Sequence, residues 1–210
     1  MKKADRILLT SITSIAIAGV MTFGWSSPAD ANEKNGTDQS KKVSSRVVKT
    51  DAGERIVIQE VLIDASVAKV WKAYTTDDGW TAWASPAAKI DLRAGGTIRT
   101  HYTPTAKIGD AGTNTLHIIN YVPEKVLTLQ AELSERWPDV MKQDADNLMN
   151  VIVFESLGKK RTRLLSYGVG YRDDPAYDKL MEFFVPANEG LFAKLIDYVE
   201  NGRRAKFVTH

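Results

Sequence analysis

Residues 176–200 read as one long amphipathic helix, and a helix of that length with a single apolar stripe needs a broad surface to cover. Leu180, Phe184, Ala187, Leu191, Leu195 and Tyr198 recur at steps of three or four, which places their side chains on one helical face. Glu182, Glu189, Lys194, Asp197 and Glu200 fall elsewhere on the wheel. Asp173-Asp174-Pro175 supplies acidic starting residues and an early proline, both favoured at a helix N-terminus. Asn201-Gly202 ends the pattern, and Arg203-Arg204 sit near the negative end of the dipole. Pro186 lies inside the helix, where proline removes a hydrogen bond. A kink is favoured there over a break into two helices.

The surface to be covered comes from the preceding strands. Residues 46–50 and 54–63 are β-rich and flank the turn signal Asp51-Ala52-Gly53, so they pair as a hairpin. One face of the second run carries Ile56, Ile58, Glu60 and Leu62, the other Val57, Gln59, Val61 and Ile63. Whichever face is buried takes one polar side chain with it. Asp64-Ala65-Ser66 caps a helix over 67–75. Asp77-Asp78-Gly79 is expected to break it before a short helix over 80–84, and strands follow at 88–93 and 97–103. Residues 115–122 and 126–133 form a hairpin over Pro123-Glu124, and 148–156 with 162–170 form the last, turned by Gly158-Lys159-Lys160. Consecutive antiparallel strands followed by a helix indicate one α+β domain whose curved sheet holds that helix.

Composition sets outer limits. The formal net charge of +2 is too small to argue for nucleic acid or an anionic membrane. There is no cysteine, which excludes disulfides, thiol catalysis and cysteine-ligated metal. Residues 1–31 look like an export signal: Lys2, Lys3 and Arg6 precede a mostly apolar run from Ile7 to Gly24, and Ala29-Asp30-Ala31 offers a small-x-small cleavage site. Cleavage between Ala31 and Asn32 is expected, leaving an exported domain, periplasmic or secreted, with no stable membrane insertion. The alternative is an uncleaved anchor, since the apolar run is about the minimum length for a span. Residues 32–45 are polar and lysine-rich and read as a flexible tether. The domain is then 46–204, with 205–210 a tail.

Several stretches resemble one family. Asp64-Ala65-Ser66-Val67-Ala68-Lys69-Val70-Trp71 is similar to its helix start, and Asp91-Leu92-Arg93-Ala94-Gly95-Gly96 to a hairpin of the same family. Tyr121-Val122-Pro123-Glu124-Lys125-Val126-Leu127 resembles its proline-turned hairpin. Phe154-Glu155 followed by Thr162-Arg163-Leu164 resembles its last one. In this order they resemble the START-like (SRPBCC, Bet v 1-like) superfamily, in the branch of activator of heat-shock protein 90 ATPase homologues. The resemblance spans about residues 44–202 and rests on scaffold motifs. It implies a helix-grip fold with a cavity between sheet and long helix, in which members hold apolar molecules and some do chemistry on them.

The expected function is therefore binding of a small hydrophobic ligand in that cavity, without a cofactor. The ligand-binding set is Trp80, Trp83, Tyr102, His117, Tyr167, Phe184 and Leu191. Trp80, Trp83 and Trp137 are candidates to line or lid an apolar pocket; alternatively Trp80 and Trp83 pin their short helix onto the sheet. His117 shares a face with Ile119 and Tyr121. If that face is inward, His117 enters the cavity, where it can donate to a ligand or act as acid or base; the plainer alternative is a histidine bonded at the sheet edge. His101 shares a face with Arg99 and Thr97 and is expected to meet solvent. Ser166, Gly168 and Gly170 share a face whose small residues leave room under the helix, unless they mark a bulge. Glu132 and Glu155 alternate outward. No metal-ligand spacing, P-loop, HExxH or nucleophile elbow is present. Two alternatives remain: a cyclase, dehydratase or hydrolase using the same cavity, which needs an inward His117, and a chaperone co-activator-like interaction module, against which the export signal weighs. The sequence names no protein partner.

Overall fold

A computed structural model describes residues 42–208; the segment read as an export signal and all but the end of the segment read as a tether lie outside the described residues. Strands β1 (Val43–Lys49) and β2 (Glu54–Ile63) form the first hairpin. Helices α1 (Val67–Thr75) and α2 (Asp77–Trp83) follow, then β3 (Ala87–Ile90), β4 (Thr97–His101), β5 (Asn114–Val122) and β6 (Val126–Ala131). A short α3 (Asp139–Gln143) precedes β7 (Met149–Ser156) and β8 (Thr162–Arg172), and α4 (Pro175–Asn201) ends the domain. The strands make one eight-stranded sheet in the order β1-β2-β8-β7-β6-β5-β4-β3. All neighbours are antiparallel. This is the helix-grip α+β fold. β1 starts at Val43, inside the segment read as tether. No helix among the described residues is long and apolar enough to cross a membrane.

Local chemistry sets the boundaries. Ser66 caps α1 by accepting from the Lys69 N–H. Thr76 caps α2 by accepting from the Gly79 N–H at 3.0 Å. Asp77-Asp78-Gly79, expected as a break, is therefore the first turn of α2, where its two carboxylates meet the positive end of the dipole. Asp174 caps α4, and Gly202 closes it in the left-handed region at φ 72, its N–H on the Tyr198 carbonyl at 2.8 Å. The chain is helical through Pro186, so proline does not divide α4 in two.

On β2 the buried face is Val57, Gln59, Val61 and Ile63, so Gln59 is the polar side chain that the core accepts. α4 lies against β1, β2, α1 and α2. Under α1 and α2 the core is aromatic. Tyr74 meets Trp80, Trp83 and Phe154 at centroid distances of 5.9, 5.0 and 5.3 Å, within the favourable range for such pairs. At the start of α4, the buried Arg55 pairs with Asp173 and Asp178, and Lys49 reaches Asp173 at 3.0 Å. At its end, Arg204 bonds Asp78 at 2.9 Å and the Ala205 N–H donates to the Ala82 carbonyl at 2.7 Å. Residues 204–205, straddling the expected start of the tail, are thus strapped onto α2.

Candidate functional site

The space between sheet and α4 is a narrow cavity with an uncharged lining. Val57 and Gln59 come from β2, Asn150 from β7, and Ser166, Gly168 and Tyr171 from β8; Met181, Phe184 and Asn188 come from α4. The volume open to a water-sized sphere is about 10 Å³, close to the least that holds one water. The walls are mostly apolar. The floor is not: Gln59, Asn150, Ser166 and Asn188 are all at most 3% exposed.

These polar groups are wired to one another. The Gln59 side-chain nitrogen donates to Ser45 Oγ at 3.0 Å and to the Val185 carbonyl at 3.3 Å. Asn188 Nδ2 donates to Gln59 Oε1 at 3.0 Å, tying α4 to β2 two residues past Pro186. Asn150 Nδ2 donates to Ser166 Oγ at 2.9 Å. Asn150 Oδ1 and Asn188 Oδ1 are buried without a partner among the described residues, an arrangement that costs about 1–3 kcal/mol per group unless something donates to it.

Tyr171 reaches this cavity because β8 is irregular. The β2–β8 register shifts between Arg55 and Val57, and Gly170 sits at φ 87. A Cβ at Gly170 would fall on the Asn147 carbonyl oxygen, and one at Gly168 would touch the Tyr171 ring at 3.0 Å. Glycine at both positions lets the Tyr171 ring fold back over the strand. Burial alone pushes the Tyr171 phenol up, so it stays a neutral donor. Of the small residues read from the sequence, Ser166 and Gly168 line the cavity, while Gly170 makes the bulge.

The residues expected to bind ligand are scattered. Phe184 lines the cavity. Leu191 lies further along α4 in the core, outside the lining. Trp80 and Trp83 are fully buried in the aromatic cluster, Trp83 donating to the Ala73 carbonyl at 3.0 Å; they pin α2, and a lining role is corrected. Trp137 is likewise a core residue. Tyr102 follows β4, receives the Thr100 hydroxyl at 3.5 Å, and has its phenol pushed up by burial; it too is outside the lining. Tyr167 is corrected to the outer sheet face, because strict alternation with the inward Ser166 turns it away.

His117 is corrected as well. Leu116 and Ile118 take the inward positions on β5, and His117 faces out with its side chain 45% exposed, 3.5 Å from Glu132. A register irregularity between Ile118 and Asn120 then resets the alternation. Tyr121 stacks on Trp71 at 6.3 Å although His117 does not share its face. His101, expected in solvent, is buried under the 104–113 loop. It accepts from the Thr103 N–H at 3.1 Å, and its other ring nitrogen meets the Ala111 carbonyl at 3.1 Å. Among the described residues, no group of acidic, histidine or cysteine side chains is placed to hold a metal ion.

Residues 64–192 match the family described as activator of Hsp90 ATPase homolog 1-like protein. That match covers more than half of the chain. The chain belongs to this family. Its START-like (SRPBCC) fold recurs in solved structures. A conserved protein of unknown function, EF2215 from Enterococcus faecalis, superposes with TM-score 0.55 at 16% identity, covering 83% of this chain and 86% of that one. The Aha1 dimer from Colwellia psychrerythraea gives 0.54 at 17% identity, covering 70% and 97%. CalU16 from Micromonospora echinospora gives 0.52 at 20%, covering 78% and 85%. At these identities the likeness establishes the fold alone. A search of the curated proteins found no match. For this member of the Hsp90-activator-homologue family, the family match stops at residue 192 and starts after β2.

Proposed function

We propose that the domain is a carrier or receptor for a small hydrophobic ligand, held between the sheet and α4 in the cavity described above. The observation that carries this reading is a mostly apolar cavity that bears two buried amide oxygens with no partner among the described residues. Buried polar groups are nearly always paired, so an unpaired pair inside a cavity marks a place where something else donates. The apolar body of the ligand supplies most of the binding energy, at about 25 cal/mol per Å² buried before ordering costs. The closed volume holds about one water at most, so a larger guest enters as Met181 and Phe184 turn aside. Met181 is well suited to this, being unbranched and adaptable.

An enzymatic reading needed an inward histidine, and His117 stands on the opposite face of the sheet. Binding without turnover is the reading that the side chains support. We also propose that the domain works outside the cytoplasm, supported by the basic start, apolar run and Ala29-Asp30-Ala31 of its leader.

Native mass spectrometry of the protein purified from its own cell envelope tests both statements. The expected result is a chain beginning at Asn32, carrying an adduct of discrete mass that is lost in Ser166→Leu, whose side chain grows into the cavity floor. A chain retaining residues 1–31 contradicts export by cleavage. An adduct that survives Ser166→Leu, or no adduct at all, contradicts the carrier reading.

A further inference from the structure

The cavity floor also says what kind of head group the ligand carries. The orientation of the Asn188 amide is fixed by a chain of partners. The Val185 carbonyl only accepts, so the nitrogen of Gln59 must face it. Gln59 Oε1 is then the atom turned to Asn188, and it too only accepts, so Asn188 presents Nδ2. What remains is Asn188 Oδ1, a pure acceptor on a residue 2% exposed, with no partner among the described residues. Asn150 Oδ1 stands unpaired on the sheet side of the same cavity.

Charge points the same way. None of the lining side chains is charged. Arg55, whose Cα pairs in register beside Tyr171, has its guanidinium committed to Asp173 and Asp178. An anionic head would lose its water, meet amide oxygens, and find no cation to offset that cost. An ester or ketone head would accept from the Tyr171 or Ser166 hydroxyl but, having nothing to donate, would leave Asn188 Oδ1 unpaired.

We propose that the site selects a neutral, hydrogen-bond-donating head, an alcohol on an apolar body, with Asn188 Oδ1 as the acceptor that reads it. Asn150 Oδ1 takes a second donor where the ligand has one. This rests on the carrier reading above and adds the chemical class of its ligand.

The test is displacement of Nile red, a neutral apolar dye, from the full chain by three probes of equal chain length: 1-octanol, octanoate and methyl octanoate. Octanol is expected to displace the dye at about tenfold lower concentration than either of the others, the effect of one buried acceptor being satisfied. In Asn188→Leu the three probes become equal, compared as ratios of displacing concentration so that any change in dye affinity cancels. Should that variant fail to fold because Gln59 loses its partner, Gln59→Leu with Asn188→Leu removes both halves of the bond and serves instead. Equal displacement by all three probes in the natural protein, or a preference unchanged in the variant, overturns the head-group assignment and leaves the carrier reading standing. No dye binding and no displacement overturns both.

Discussion

Tyr74 keeps a hydroxyl inside an aromatic cluster where nothing accepts its proton. The side chain is fully buried and its oxygen has no partner among the described residues; burial pushes its phenol well up. Deleting that oxygen removes a desolvated polar group and keeps the ring contacts with Trp80, Trp83 and Phe154. Tyr74→Phe is therefore expected to raise stability by about 1 kcal/mol, read as a higher melting temperature in thermal denaturation; a lower one shows that the hydroxyl is bonded after all. At this scale the sequence was only partly legible. The apolar face of the last helix was visible in its spacing, and Phe184 falls in the cavity as that spacing required. The amides that define the floor were not visible. Gln59 stood out only as the polar member of one of two equivalent faces, and Asn150 by strand alternation and Asn188 by helical spacing from Phe184 and Leu191 sit at inward positions without any sign that they are polar for a purpose. The signal available for Asn188 was its place just after a helix-interior proline.

At the scale of elements, the misplacements come from irregular strands. Alternation assumes a regular pleat, and one extra residue reverses every side chain beyond it. The irregularity after Ile118 put Tyr121 inward without His117, and the one around Gly170 brought in Tyr171, which unbroken alternation with Ser166 and Gly168 would turn outward. Caps were more legible, because Ser66, Asp174 and Gly202 act within their own turns; Thr76 was missed because the acidic pair after it reads equally well as a breaker. The start of α4 makes a sharper prediction. The Arg55 and Lys49 partners hold the Asp173 carboxyl below its ordinary value, as Lys42 does for Asp64 and Arg203 for Asp197. A depressed carboxylate contributes its stability above the unfolded value of about 4, and loses it as pH falls through the folded one. Thermal stability is expected to hold from pH 7 down to about 4.5 and to fall below about 4. Arg55→Met removes the first cause for Asp173, so the acid fall should become shallower; an unchanged slope would show that the helix start carries no part of it.

For the whole molecule, the order of elements was legible because each hairpin is local and the long helix announces itself. The pairing of β2 with β8, which joins residues about a hundred positions apart, was not legible, since no local pattern in the chain specifies it. The size of the cavity was not legible at all, since it depends on how far Met181, Phe184 and Tyr171 fill the space that small residues leave. That space is where the account is most exposed. The three methionines of the described residues divide the molecule usefully: Met181 lines the cavity, Met141 is fully buried and outside the lining, and Met149 is half-buried on a strand whose next residue, Asn150, is the one that faces in. Methyl-carbon NMR of the methionine-labelled protein, titrated with 1-octanol, follows all three at once. A saturable shift of the Met181 methyl with Met141 and Met149 unmoved is the expected result. Movement of Met149 alone, or no saturable shift at Met181, would mean that the space under the long helix is simply core and that no ligand is held there.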